Sequence, residues 1–121
     1  VDDNYSLVHN RCMLEALFGN KSAEKVMMHI YVYGEIHASA IAQAHQTALD
    51  PIRKQLERFE EAGFLVSRLV GRSKLYRFNE QNELIPHLRE MMAVAYRNLT
   101  DEQRQIVLRT NNHLSTEVGM L

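Results

Sequence analysis

The segment from Ala38 to Asn79, ASAIAQAHQTALDPIRKQLERFEEAGFLVSRLVGRSKLYRFN, constrains the fold more tightly than any other part of the chain. Its longer helix is marked by Ile52, Leu56 and Phe59, which recur at i, i+4 and i+7 and place one apolar stripe against a core. Arg53, Lys54, Gln55 and Arg58 fall off that stripe, towards solvent. Asp50-Pro51 reads as the helix start, with the aspartate as cap and the proline in the first turn, where a missing N–H costs nothing. Gly63 reads as the stop, because glycine takes the left-handed conformation after a helix without strain. Upstream, Ile41 and Ala44 give a shorter helix its inward face, and His45 to Ala48 is of turn length. Two short helices joined this closely form a helix-turn-helix, here residues 38–62, whose second member (49–62) is shaped for a DNA major groove.

Two extended runs follow. Leu65 to Leu69 and Lys74 to Phe78 are rich in strand formers, and Val70-Gly71-Arg72-Ser73 reads as a four-residue hairpin loop. Tyr76 and Phe78 share one strand face, Leu75 and Arg77 the other. A hairpin over 64–79 is then a wing beside the helix pair, with Arg72 at its tip and Arg68 and Lys74 on its strands. A tip arginine suits a narrow minor groove, where the negative potential is strongest. Charge is distributed to match. The whole chain carries a formal −1, yet Asp50 to Phe78 holds seven basic residues against four acidic ones, so +3 lies in this segment and −4 elsewhere.

The run Ile41-Ala42, Ile52, Leu56, Phe59-Glu60-Glu61-Ala62-Gly63-Phe64-Leu65-Val66, Gly71-Arg72 and Leu75-Tyr76-Arg77-Phe78 resembles the winged helix of ArsR-type bacterial regulators. Leu17-Phe18-Gly19-Asn20-Lys21 ahead of it, and Asn79 with Leu84 to Met91 behind it, resemble the flanks of a branch of that family; the resemblance spans roughly residues 14–96. It implies a mainly α protein with a small β-hairpin: a winged helix-turn-helix with additional N- and C-terminal helices. The implied function is a homodimeric, sequence-specific repressor of transcription that binds double-stranded DNA. The expected DNA-contacting residues are Gln46, Thr47, Leu49, Asp50, Arg53, Lys54, Gln55 and Arg58 on the helix pair, with Arg68, Arg72, Ser73 and Lys74 on the wing. The chain departs from the family in three places. Gln46 stands where the turn usually has glycine, and Ala48 where a serine usually caps the second helix, which shifts the cap to Asp50. Leu49 and Asp50 occupy positions where small polar residues often meet phosphate; a carboxylate repels phosphate but can accept a hydrogen bond from a cytosine amino group.

The remaining chain reads as support, and residues 1–112 as one domain. Leu7, Arg11, Leu14 and Phe18 trace an amphipathic helix ending at Gly19. Asn20 or Ser22 caps the next helix, whose stripe is Val26, Met27, Ile30 and Tyr33, with His29 as a core or boundary histidine and Gly34 as the stop. Glu35-Ile36-His37 can pair as a third strand beside the wing. Two C-terminal helices fill 84–111: Pro86 opens the first, with Leu84, Leu88, Met91, Met92 and Ala95 on its apolar face. Thr100 to Gln103 is a capping box for the second, with Ile106 and Val107 inward and Asn111-Asn112 at its end. Residues 113–121 read as a tail. Leu7, Leu14, Leu88, Met92 and Ala95 give these helices more apolar surface than a small core requires, and they are the expected dimer interface.

Catalytic signatures are missing: there is no glycine-rich phosphate loop, nucleophile elbow or His-Glu zinc motif. The chain is therefore expected to be no enzyme and to hold no cofactor. Glu83, His87 and Glu90, or His113 and Glu117, match a metal site poorly, so no metal is expected. With Cys12 as the single cysteine no internal disulfide forms, which fits a reducing cytoplasm. No apolar stretch approaches the ~20 residues of a membrane span, so no membrane partner is expected. The competing class is a winged-helix module that binds a protein partner and carries its basic face incidentally.

Overall fold

A computed structural model describes residues 13–110, except for the side chain of Met13. These residues form six helices and one antiparallel sheet: α1 (Met13–Phe18), α2 (Lys21–Tyr33), β1 (Glu35–His37), α3 (Ala38–His45), α4 (Leu49–Glu61), β2 (Leu65–Val70), β3 (Ser73–Phe78), α5 (Ile85–Arg97) and α6 (Asp101–Leu108). The sheet order is β1-β3-β2. The short run at 35–37 is thus a true third strand, with Ile36 opposite Tyr76 and His37 opposite Leu75.

Helix α2 is the central element, packing against α1, α4, α5 and β1. Asn20 caps it, its Oδ1 accepting from the Ala23 amide at 2.7 Å, which decides between the two expected caps. Val26, Met27, Met28 and Ile30 are all buried, so the helix is apolar over more of its circumference than a single stripe. Tyr33 is only half-buried; its hydroxyl donates to the Val107 carbonyl at 2.6 Å and so ties α6 to α2. Ile52, Leu56 and Phe59 bring α4 onto the same core. Each such side chain, fully buried, stabilises the fold by about 1.5–3 kcal/mol.

Helices α3 and α4 end alike. Thr47 N–H reaches the Ala42 carbonyl and Gln46 N–H that of Gln43; Phe64 N–H reaches Phe59 and Gly63 N–H reaches Glu60. Both are Schellman stops. The residue that must turn left-handed is Gly63 in one (φ 90°) and Gln46 in the other (φ 52°, ψ 49°). The glutamine accepts a conformation that costs a residue with a Cβ about 1–2 kcal/mol. Asn79 and Asn82 then clamp the hairpin exit to this point, both amides donating to the Gly63 carbonyl.

His29 lies in the core, fully buried. Its Nδ1 sits 2.8 Å from the Lys25 carbonyl and its Nε2 2.8 Å from Thr110 Oγ1. A carbonyl only accepts, so Nδ1 carries a proton; in the neutral ring Nε2 then accepts from the threonine hydroxyl, whose other acceptor, the Ile106 carbonyl, is farther at 3.3 Å. Burial accordingly lowers the His29 pKa to about 4. The His45 ring stands edge-on to it at 5.0 Å, and burial together with the neighbouring imidazole lowers its pKa to about 3. His45 Nε2 is the one buried side-chain nitrogen or oxygen among the described residues without a hydrogen-bond partner.

Several expectations need correction. Leu14, Leu88, Met92 and Ala95 are buried within the single chain, Met92 completely, so they belong to its own core rather than to a dimer seam; Leu7 lies outside the described residues. The apolar surface that looked surplus is consumed by α2, which needs neighbours on several sides. Asp50 is not the α4 cap: Ala48 holds that place without a side-chain bond, and Asp50 sits in the first turn, where its charge favours the helix dipole. The hairpin loop has two residues rather than four, since Val70 pairs with Ser73 across Gly71-Arg72. Only Gly71 has positive φ, the sign pattern of a type II′ turn. Ala40 and Ala42 flank Ile41 on the buried face of α3, with Ala44 half-buried, and Leu84 is exposed. Helix α6 ends at Leu108, short of Asn111, although its Thr100–Gln103 capping box forms in full. The segment 113–121 lies outside the described residues.

Candidate nucleic-acid interface

Three apolar side chains fix how α4 is presented. With about 100° of turn per residue, Asp50, Lys54, Glu57 and Glu61 lie opposite Ile52, Leu56 and Phe59, while Arg53 lies on the flank. Asp50, Arg53 and Lys54 are all exposed, and so are Gln46 and Thr47 in the preceding turn. The outer face therefore has two halves: cations beside one aspartate at its start, and the carboxylates Glu57 and Glu61 further on. Only the first half offers donors to an anionic surface.

Side-chain pairing divides the expected contact set. Arg68 donates from Nε and Nη2 to both Glu35 carboxylate oxygens, at 2.7 and 2.8 Å. The pair crosses β3 on the face that carries Leu75, which is buried there apart from the main core. Charge-assisted contact with Arg68 holds the Glu35 carboxyl below its ordinary pKa. Arg68 thus braces the sheet. Lys74 sits 3.7 Å from Glu60 and over the Tyr76 ring, and Ser67 donates to the same glutamate at 2.6 Å. Glu60 in this way fastens the hairpin to α4. Arg58 folds back on its own helix, bonding Gln55 and stacking on Phe59.

What is left free is smaller and sharper. Lys54 and Arg72 make no hydrogen bond or ion pair with any described residue. Arg53 faces Asp50 at 3.6 Å, an exposed pair that gives up its partner at little cost. Ser73 is exposed beside Arg72, and Leu49 is half-buried against the core, where it positions the helix start. Sequence reasoning missed the Glu35–Arg68 brace and the Glu60 clasp. The first was open to inference once residues 35–37 were read as a strand, because that pairing sets Glu35 two strands from Arg68 on one face.

Among the described residues no group of three or more His, Cys, Asp or Glu side chains is placed to hold a metal ion, and His87 only approaches Glu90 at 3.8 Å. None of the described helices is long and apolar enough to cross a membrane. No protein-family model matches the chain, and no curated protein matches its sequence.

Proposed function

We propose that the chain is a winged helix-turn-helix regulator of transcription in the cytoplasm, which reads double-stranded DNA with the start of α4 in the major groove and the tip of the β2–β3 hairpin on the flanking groove. The observation that carries this reading is the placement of Arg53, Lys54 and Arg72. They are exposed at the first turns of a helix that follows a tight turn, and at the tip of the hairpin clasped to that helix. Phosphate contacts supply affinity while base edges supply specificity, and both kinds of donor occur here. A homodimer on two half-sites about one DNA turn apart belongs to the proposal. Its seam lies among exposed side chains such as Leu84 and Val94 of the α5 region rather than in the buried set.

A second reading has one observation in its favour. An apolar groove of about 300 Å³ opens between Phe18, Phe59, Phe64, Leu84, Leu88 and Met91, a surface suited to a protein partner. Salt separates the two. Each phosphate neutralised contributes about −0.9 to the slope of log affinity against log salt, so Lys54 and Arg72 together give about −1.8 per chain. In fluorescence anisotropy with labelled duplex, Arg72→Ala is expected to remove about one unit of that slope. Lys74→Ala should change it less, because Lys74 is already held by Glu60. Binding that ignores salt, or Arg53→Ala, Lys54→Ala and Arg72→Ala variants that all bind like the parent, favours the protein partner.

A further inference from the structure

The start of α4 combines two groups of opposite demand, three residues apart. Asp50 is 74% exposed and Arg53 49% exposed, with Oδ1 and Nη1 separated by 3.6 Å. A carboxylate only accepts hydrogen bonds and a guanidinium only donates them. Asp50 cannot face phosphate, since like charges repel. It is also not needed as a cap, because α4 starts at Leu49 without any side-chain cap bond. If this turn enters a major groove, the partner that suits the carboxylate there is a donor on a base edge. Two exist there, the amino groups of cytosine N4 and adenine N6. Adenine presents N7 beside its amino group, an acceptor that a carboxylate repels, whereas cytosine presents the amino group alone. Arg53 has the converse requirement, which guanine meets with two acceptors, O6 and N7.

Resting on the DNA-binding reading above, we infer that Asp50 and Arg53 form a two-residue specificity element that reads a cytosine next to a guanine in each half-site. Residues three apart on a helix are about 5–6 Å apart at Cβ, and stacked bases about 3.4 Å, a spacing at which two such side chains can address neighbouring pairs. Their 3.6 Å separation in the free protein keeps both at the same turn of the helix, and the exposed pair opens at little cost. Lys54, one position on and unpaired, then faces the backbone.

Asp50→Asn tests this with nearly the same shape. Asparagine reads adenine through N6 and N7, so the cytosine position should convert to adenine while the guanine position stays. The experiment is selection of bound duplexes from a random pool, run in parallel on the wild type, Asp50→Asn and Arg53→Ala. Expected is a wild-type motif with adjacent C and G, a preference of roughly 5- to 150-fold at each. The asparagine variant should move C to A, and the alanine variant should lose G alone. A wild-type motif without adjacent C and G overturns the inference. So does an Asp50→Asn variant that binds every sequence more tightly with the motif unchanged, which would make Asp50 only a charge on the helix dipole. Absence of any enriched motif in the wild type, with folding checked by circular dichroism, overturns the DNA-binding reading itself.

Discussion

Lowering the pH from 7.5 to 5 should destabilise the fold by about 2 kcal/mol through His29 alone. The ring is fully buried and donates from Nδ1 to the Lys25 carbonyl, and burial disfavours the charged, doubly protonated form. Its pKa falls to about 4 in the folded chain, against about 6.5 when unfolded. The folded pKa is depressed, so the stability is complete above the unfolded value and is lost as pH falls from about 6.5 towards 4. At pH 5 the unfolded histidine is mostly protonated and the folded one is not, which yields the 2 kcal/mol figure. His45 adds to the loss with the same sign, and the two rings titrate as a pair. Glu35 and Glu80, whose pKa values are lowered by arginine partners, lose their contribution as pH falls from the ordinary carboxylate value downward and so add little between pH 7.5 and 5. The assay is urea unfolding at both pH values. With a slope of about 1–3 kcal/mol per molar, the midpoint should fall by about 0.7–2 M. The His29→Leu variant should show a smaller drop. A midpoint that does not move between pH 7.5 and 5, or an equal drop in the variant, refutes the assignment of a neutral buried histidine.

Met92→Glu should unfold the chain rather than separate a dimer, at a cost of several kcal/mol, because the side chain is fully buried in the apolar core. A cooperative thermal transition near that of the parent, with a change only in sedimentation, would contradict this. Gln46→Gly should raise stability by about 0.5–1 kcal/mol, the relief of left-handed strain exceeding the extra chain entropy of glycine. Equilibrium urea unfolding measures it, and a loss of stability would show that the glutamine side chain holds the turn.

The parts of the fold carried by short-range pattern were legible in the sequence. The Ile52, Leu56 and Phe59 spacing, the Thr100–Gln103 box and Gly63 each act within one or two helical turns, and each appears where expected. Expectations that depended on three dimensions fared differently. The apolar positions of α5 could serve a core or a seam, and only the crowding around α2 decides. Arg68 and Lys74 read as free cations because their carboxylate partners lie 33 and 14 positions away in sequence. The two-residue hairpin loop was obscured because Ser73 reads as a turn residue, although Val70 is itself a strand former and pairs with it. On the candidate interface, exposure of Arg53, Lys54 and Arg72 followed from helical phase and a hairpin tip, whereas the narrowing to those three followed from the ion pairs.

The central claim, that the start of α4 and the hairpin tip form one DNA-reading surface, is tested most directly by amide chemical-shift changes on titration with duplex DNA. The account predicts shifts concentrated at residues 46–54 and 71–73, diminishing as salt rises. Shifts that are absent, insensitive to salt, or centred on the apolar groove around Phe18, Phe64 and Leu88 would contradict it.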